Sequence, residues 1–115
     1  MQYALLIYTK PGTVEALSPQ EREELSREYY ALRDEPGILG GAALQPVTTA
    51  TTLRHADGKP VVTDGPFADT KEVFGGYYLY ECDNLDQATE MAARIPALRL
   101  GGTIEIRPLM GKAAT

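Results

Sequence analysis

Tyr3-Ala4-Leu5-Leu6-Ile7-Tyr8 is a run in which both alternating sets are apolar: Tyr3, Leu5 and Ile7 on one side, Ala4, Leu6 and Tyr8 on the other. Successive side chains of a strand point to opposite faces, so a strand with one wet face alternates apolar with polar residues. This run does not alternate, and both of its faces are expected to be covered. Lys10-Pro11-Gly12 closes it as a turn. Val73 to Cys82, which contains Tyr77-Tyr78-Leu79-Tyr80, is the longest further strand expected.

Working outward, Ser18-Pro19-Gln20-Glu21 is a capping box with proline at the first helical position. It predicts a helix from Pro19 to Asp34 with Leu25, Tyr29 and Leu32 as its buried stripe. Ile38 to Leu44 reads as a glycine-containing strand. Thr48 to His55 and Lys59 to Thr63 read as a hairpin across Ala56-Asp57-Gly58, since Asp-Gly between β-branched residues favours a tight turn. Asp83-Asn84 caps a second helix with the apolar face Leu85, Ala88, Ala92 and Ile95, ended by Pro96. Thr103 to Arg107 is the last strand, closed by Pro108.

The resulting fold class is α+β: a ferredoxin-like βαββαβ plan with an inserted β-hairpin, an antiparallel sheet and two helices on one face. One domain is expected over residues 1–110, with 111–115 a frayed tail. Two helices cover only one face of such a sheet. The other face then carries Ala4/Leu6/Tyr8 or Tyr3/Leu5/Ile7, with Tyr77/Leu79 or Tyr78/Tyr80 beside them. Either choice leaves an apolar patch of the kind that marks an interface. A two-fold homodimer through the helix-free face is the expected solution; the alternative is a monomer whose hairpin folds over that face. Seven tyrosines and no tryptophan suit a part-wet interface, where hydroxyls find partners.

Composition bounds the function. The 115 residues suffice for a core without disulfides or a structural metal. With 11 Lys+Arg against 16 Asp+Glu the formal charge is −5, which argues against a nucleic-acid backbone binder. No apolar run has the length of a membrane span, and residues 1–10 lack the order of a signal peptide. A single cysteine, Cys82, makes the cytoplasm the expected compartment. With His55 the sole histidine and Cys82 the sole cysteine, only carboxylates remain as metal ligands and no metal site is expected; no other cofactor is expected either. His55 itself reads as a solvated hairpin-tip residue.

The densest chemistry lies in Asp64-Gly65-Pro66-Phe67-Ala68-Asp69-Thr70-Lys71-Glu72, followed by Gly75-Gly76-Tyr77-Tyr78. In one reading Asp64 or Asp69 is a general base, Lys71 or Arg107 binds an anionic group, and Tyr77 or Tyr78 donates a hydrogen bond. In the other, Asp64 caps a turn, Phe67 plugs the core, and Lys71 and Glu72 are a solvated pair. Gly75-Gly76 reads as a bulge, because no helix N-terminus follows it to hold a phosphate. Arg107 projects opposite Ile104 and Ile106 and is an ion-pair partner first.

Thr63-Asp64-Gly65-Pro66-Phe67-Ala68, with Thr70-Lys71-Glu72 and the Gly75-to-Tyr78 strand start, resembles the DGPF branch of the YCII-related family. The likeness extends through Leu44-Gln45-Pro46, Thr51-Thr52-Leu53-Arg54, Ala92-Ala93-Arg94-Ile95-Pro96 and Ile104-Glu105-Ile106-Arg107-Pro108. It implies a dimeric α/β barrel that binds a small molecule. The wider superfamily includes isomerases, dehalogenating lyases, monooxygenases and ligand sensors, so the fold alone selects no reaction. The resemblance implies cofactor-independent proton transfer, or instead a non-catalytic sensing module associated with a sigma factor. One departure bears on this: relatives proposed to be enzymes carry a histidine on the first helix. Here that helix reads Leu25-Ser26-Arg27-Glu28-Tyr29-Tyr30-Ala31-Leu32. Asp69 also stands where the branch commonly has Glu.

Overall fold

A computed structural model describes residues 1–113. The elements run β1 (Gln2–Thr9), α1 (Pro19–Arg33), β2 (Ile38–Ala43), β3 (Thr51–Ala56), β4 (Lys59–Asp64), β5 (Val73–Glu81), α2 (Leu85–Ala92) and β6 (Thr103–Pro108). Short 3₁₀ turns occupy Val47–Thr49 and Pro96–Leu100. Four strands form one sheet in the order β2-β5-β1-β6, every neighbouring pair antiparallel, while β3 and β4 pair only with each other. The ferredoxin-like plan with an inserted hairpin is therefore the observed architecture. No helix among the described residues is long and apolar enough to cross a membrane.

The core settles which face of β1 is which. Tyr3, Leu5 and Ile7 are buried under the helices with Tyr78, Leu32, Met91 and Ile95. Ala4, Leu6 and Tyr8 lie half-buried on the opposite face, beside Tyr77 and Leu79 of β5. Phe74 joins them, 39% exposed, with its ring 5.6 Å from that of Tyr8. No helix lies over this second face. Gly75 is the extra residue of a bulge, because Ile7 pairs with Gly76 while Tyr8 pairs with Phe74.

Local signals place both helices. Ser18 and Glu21 exchange reciprocal bonds: the Ser18 N–H donates to Glu21 Oε1 (3.0 Å), and the Glu21 N–H to Ser18 Oγ (3.1 Å). Asp34 is the C-cap of α1 rather than its last turn. Asn84 caps α2 by accepting from the Gln87 N–H at 3.0 Å. Two expectations for α2 change. It ends at Ala92, well before Pro96, and Leu85 is 54% exposed. Leu85 sits in the first turn, which the Asn84 cap holds rather than core contact. Met91 completes the buried stripe with Ala88, Ala92 and Ile95. Ion pairs Glu28–Arg99 and Glu35–Arg94 tie the α1 region to the segment after α2.

The hairpin turns through Asp57 (φ 53°) and Gly58 (φ 76°), two left-handed residues in succession, as an Asp-Gly hairpin turn requires. It stands off as an arm. All of β4 and all of β3 except Thr52 are exposed, including Leu53 (63%) and Val62 (66%). The radius of gyration is 15.9 Å, against about 13 Å for a compact chain of this length. The arm therefore does not fold over the helix-free face. At the other end, Leu109 N–H donates to the Gln2 carbonyl (2.9 Å) and Ala113 N–H to Gln2 Oε1 (2.7 Å). Of the expected frayed tail, Ala114 and Thr115 lie outside the described residues.

Candidate ligand-binding site

A cavity of about 870 Å³ lies where β1 and β2 finish and β5 begins, against α1. Leu25, Ser26, Tyr29, Tyr30 and Arg33 form its helical wall. Their spacing puts them on one stripe of α1, a turn apart. The loop from Lys10 to Glu15 forms a second wall, and the segment from Ala42 to Thr48 a third. The first of these loops is a chain of tight turns, with Thr13 N–H on the Lys10 carbonyl (3.3 Å) and Ala16 N–H on that of Gly12 (3.1 Å). Gly75 and Gly76 border the cavity with Tyr77 and Tyr78. A side chain at Gly76 would meet the Ala42 carbonyl at 2.7 Å, whereas one at Gly75 would make only ordinary contacts, nearest Thr9 at 3.5 Å.

The lining is mostly apolar and aromatic, with a few fixed polar groups. The Tyr78 hydroxyl donates to the Tyr29 carbonyl at 2.7 Å, and the two rings stack at 6.5 Å between centroids. Burial, reinforced by the neighbouring Tyr29, pushes the Tyr78 phenol up to about 12, while Arg33 acts the other way. Tyr78 is thus a pinned, neutral group. Burial also raises the Tyr29 phenol, against the lowering effect of its contact with the Ala97 backbone. Arg33 Nη2 donates to the Gly41 carbonyl at 3.2 Å, and its guanidinium lies 5.1 Å from the centre of the Tyr30 ring. Lys10 is the other cation on the lining and Glu15 its one carboxylate.

The residues singled out in the sequence are divided by the fold. Tyr77 and Tyr78 border the cavity. Asp64, Asp69 and Lys71 are exposed, Asp64 at the end of the arm and the others in the segment that returns from it; none lines this chain's cavity. Arg107 is exposed on β6, its Nε 4.0 Å from Glu105 Oε1, in keeping with an ion-pair partner. His55 is exposed on the arm opposite Pro60.

The turn after Asp64 holds together through the backbone. Gly65 (φ 96°) donates its N–H to the Ala50 carbonyl (2.7 Å), Thr52 Oγ1 donates to the Gly65 carbonyl (2.7 Å), and Arg54 donates to that of Phe67 (3.2 Å). Phe67 does not plug the core: it is 75% exposed, because this segment follows the arm rather than the sheet. Glu72 accepts from Thr103 Oγ1 at 2.9 Å instead of pairing with Lys71.

Arg33, Lys10 and Glu15 are the cavity groups that sequence reading missed. The available signal was weak: Arg33 follows Tyr29 and Tyr30 by four and three positions on one helix face. Among the described residues, no three His, Cys, Asp or Glu side chains gather closely enough to share a metal ion.

A four-stranded antiparallel sheet with two helices on one face and a cavity beneath the first defines a ferredoxin-like α+β domain with room for a small ligand. The chain belongs to the YCII-related domain family, whose model matches residues 1–111. It is 42% identical over 114 residues to an uncharacterised protein of Rhizobium meliloti (strain 1021), covering 95% of this chain and 92% of that one. Among solved structures it is similar to 5-chloro-2-hydroxyhydroquinone dehydrochlorinase (TftG) from Burkholderia phenoliruptrix AC1100, in complex with 2,5-dihydroxybenzoquinone. That likeness has a TM-score of 0.54 at 16% identity over 95% of this chain and 93% of the other. At such identity it speaks for the fold.

Proposed function

We propose that this protein is a cytoplasmic homodimer that binds a small organic molecule in the α1 cavity and carries out cofactor-independent proton transfer of the isomerase or lyase kind. The carrying observation is the cavity itself: about 870 Å³, with an apolar aromatic lining and only a few polar groups, which is how small-molecule sites are usually built. The helix-free face supports the dimer, because neither helix nor arm covers Leu6, Tyr8, Tyr77 and Leu79. Glu15, Lys10 and Arg33 share the cavity lining, which supports the chemistry. A carboxylate there takes a proton from carbon, and the cations stabilise the resulting enolate. The structural neighbour's dehydrochlorinase activity, named for that protein, is compatible with such chemistry on this fold.

Phenylpyruvate in heavy water tests the reaction, since its methylene protons exchange only through the enolate. We expect the wild type to accelerate their loss from the proton NMR spectrum, and Glu15→Gln to fall back towards the buffer rate. Equal rates with and without protein would remove the catalytic reading. The rival, a non-catalytic sensing module with a sigma-factor partner, draws on the apolar side chains the arm exposes: Leu53, Val62 and, beyond it, Phe67. It gains if phenylpyruvate binds in the cavity without exchange faster than in buffer alone.

A further inference from the structure

The chain as a whole is acidic, at −5, yet the cavity lining reverses the sign with Lys10 and Arg33 against the single Glu15. Among the described residues, the carboxylates that pair with arginine lie elsewhere: Glu23 on Arg27, Glu28 on Arg99, Glu35 on Arg94 and Glu105 on Arg107. Among the described residues, no carboxylate lies within 4.0 Å of Arg33 or Lys10.

Arg33 is also held in place before any ligand arrives. One of its N–H groups is fixed on the Gly41 carbonyl, and its plane rests near the Tyr30 ring. A guanidinium presents five donors in a rigid fork, so four remain for a ligand. Holding that fork in advance lowers the ordering cost of binding. The rest of the lining is largely apolar: the Tyr29 and Tyr78 rings stack on the α1 side of the sheet, and Leu25 and Val47 add aliphatic surface.

We propose that the ligand is a planar organic anion of the aromatic carboxylate class, with its charge on the Arg33 fork and Lys10 nearby and its ring among the aromatic side chains. This rests on the reading of the α1 cavity as the ligand site. It makes Arg33 a specificity-determining residue, and it places the anion site on α1 rather than at Lys71 or Arg107.

The test is a titration of the full chain with three probes of similar size, followed by amide chemical shifts and calorimetry: benzoate, benzamide and cyclohexanecarboxylate. Benzoate is expected to bind at least ~10-fold more tightly than benzamide, the scale of one charge-assisted hydrogen bond. Cyclohexanecarboxylate, which has the charge without the flat ring, should be weaker than benzoate. Arg33→Met should erase the preference for benzoate and leave benzamide unchanged, and Arg33→Lys should restore part of it.

If benzamide binds in the cavity as tightly as benzoate, the anion proposal falls while the cavity reading stands. If no probe moves the Ser26, Gly75 and Gly76 amides, both fall. An equal loss of both probes in Arg33→Met would show that Arg33 merely supports the wall, and would overturn its role in specificity.

Discussion

At the scale of single residues, Gly75 and Gly76 look equivalent in the sequence, yet the fold uses them differently. A Cβ on Gly76 would be driven into the Ala42 carbonyl at 2.7 Å, and β2 would have to move away from β5. Gly76→Ala should therefore cost about 1–3 kcal/mol, read as a lowered denaturation midpoint, whereas Gly75→Ala should stay within about 0.5 kcal/mol. Tyr78 gives a prediction with a sign in pH. Its folded-state value, about 12, lies above the usual 10. The unfolded chain thus loses this proton first, and the associated stability is complete below pH 10 and falls as pH rises from about 10 through about 12. Tyr78→Phe should lower stability near neutrality by about 0.5–1.5 kcal/mol, through the lost bond to the Tyr29 carbonyl. It should also flatten part of the alkaline limb in denaturant titrations, and an unchanged limb would count against the buried-phenol account.

At the scale of elements, the parts read correctly from sequence are those whose signals are local. The reciprocal Ser18–Glu21 bonds start α1, the Asp57-Gly58 pair turns the arm, and the doubly apolar β1 runs through the centre of the sheet. Ser18→Ala should cost about 1 kcal/mol. The bonds from the Ser18 backbone and then its hydroxyl hold the Glu21 carboxyl below the usual 4.5. Its contribution is present above that value and lost as pH falls through the folded-state value. Glu21→Gln should therefore shrink the acid-side loss of stability seen in thermal melts. The site was less legible for a physical reason. Arg33 lies on α1, and Lys10 and Glu15 on the loop after β1, and only tertiary packing brings these two parts to one cavity. The charges of Asp64, Asp69 and Lys71, by contrast, are conspicuous in sequence because they stand in water on and beside the arm.

At the scale of the whole molecule, the architecture leaves one sheet face without cover and one arm in solvent. The dimer proposal assigns the face to a second copy. Sedimentation equilibrium at micromolar concentration should then give twice the 12.5 kDa of one chain, and Leu6→Asp should return it to one chain's mass by placing a carboxylate in the apolar patch. A wild-type monomer would overturn the dimer and leave the cavity untouched, since the α1, loop and β5 residues that line it all come from one chain. The claim on which the function rests is that the cavity against α1, and not the charged turn beyond the arm, receives the ligand. Mapping phenylpyruvate-induced amide shifts on the full chain tests it most directly. The account predicts saturable shifts clustered at Ser26, Arg33, Gly75 and Gly76, with Asp64 to Lys71 unmoved. Shifts centred on Asp64, Asp69 and Lys71, with the cavity silent, would contradict it.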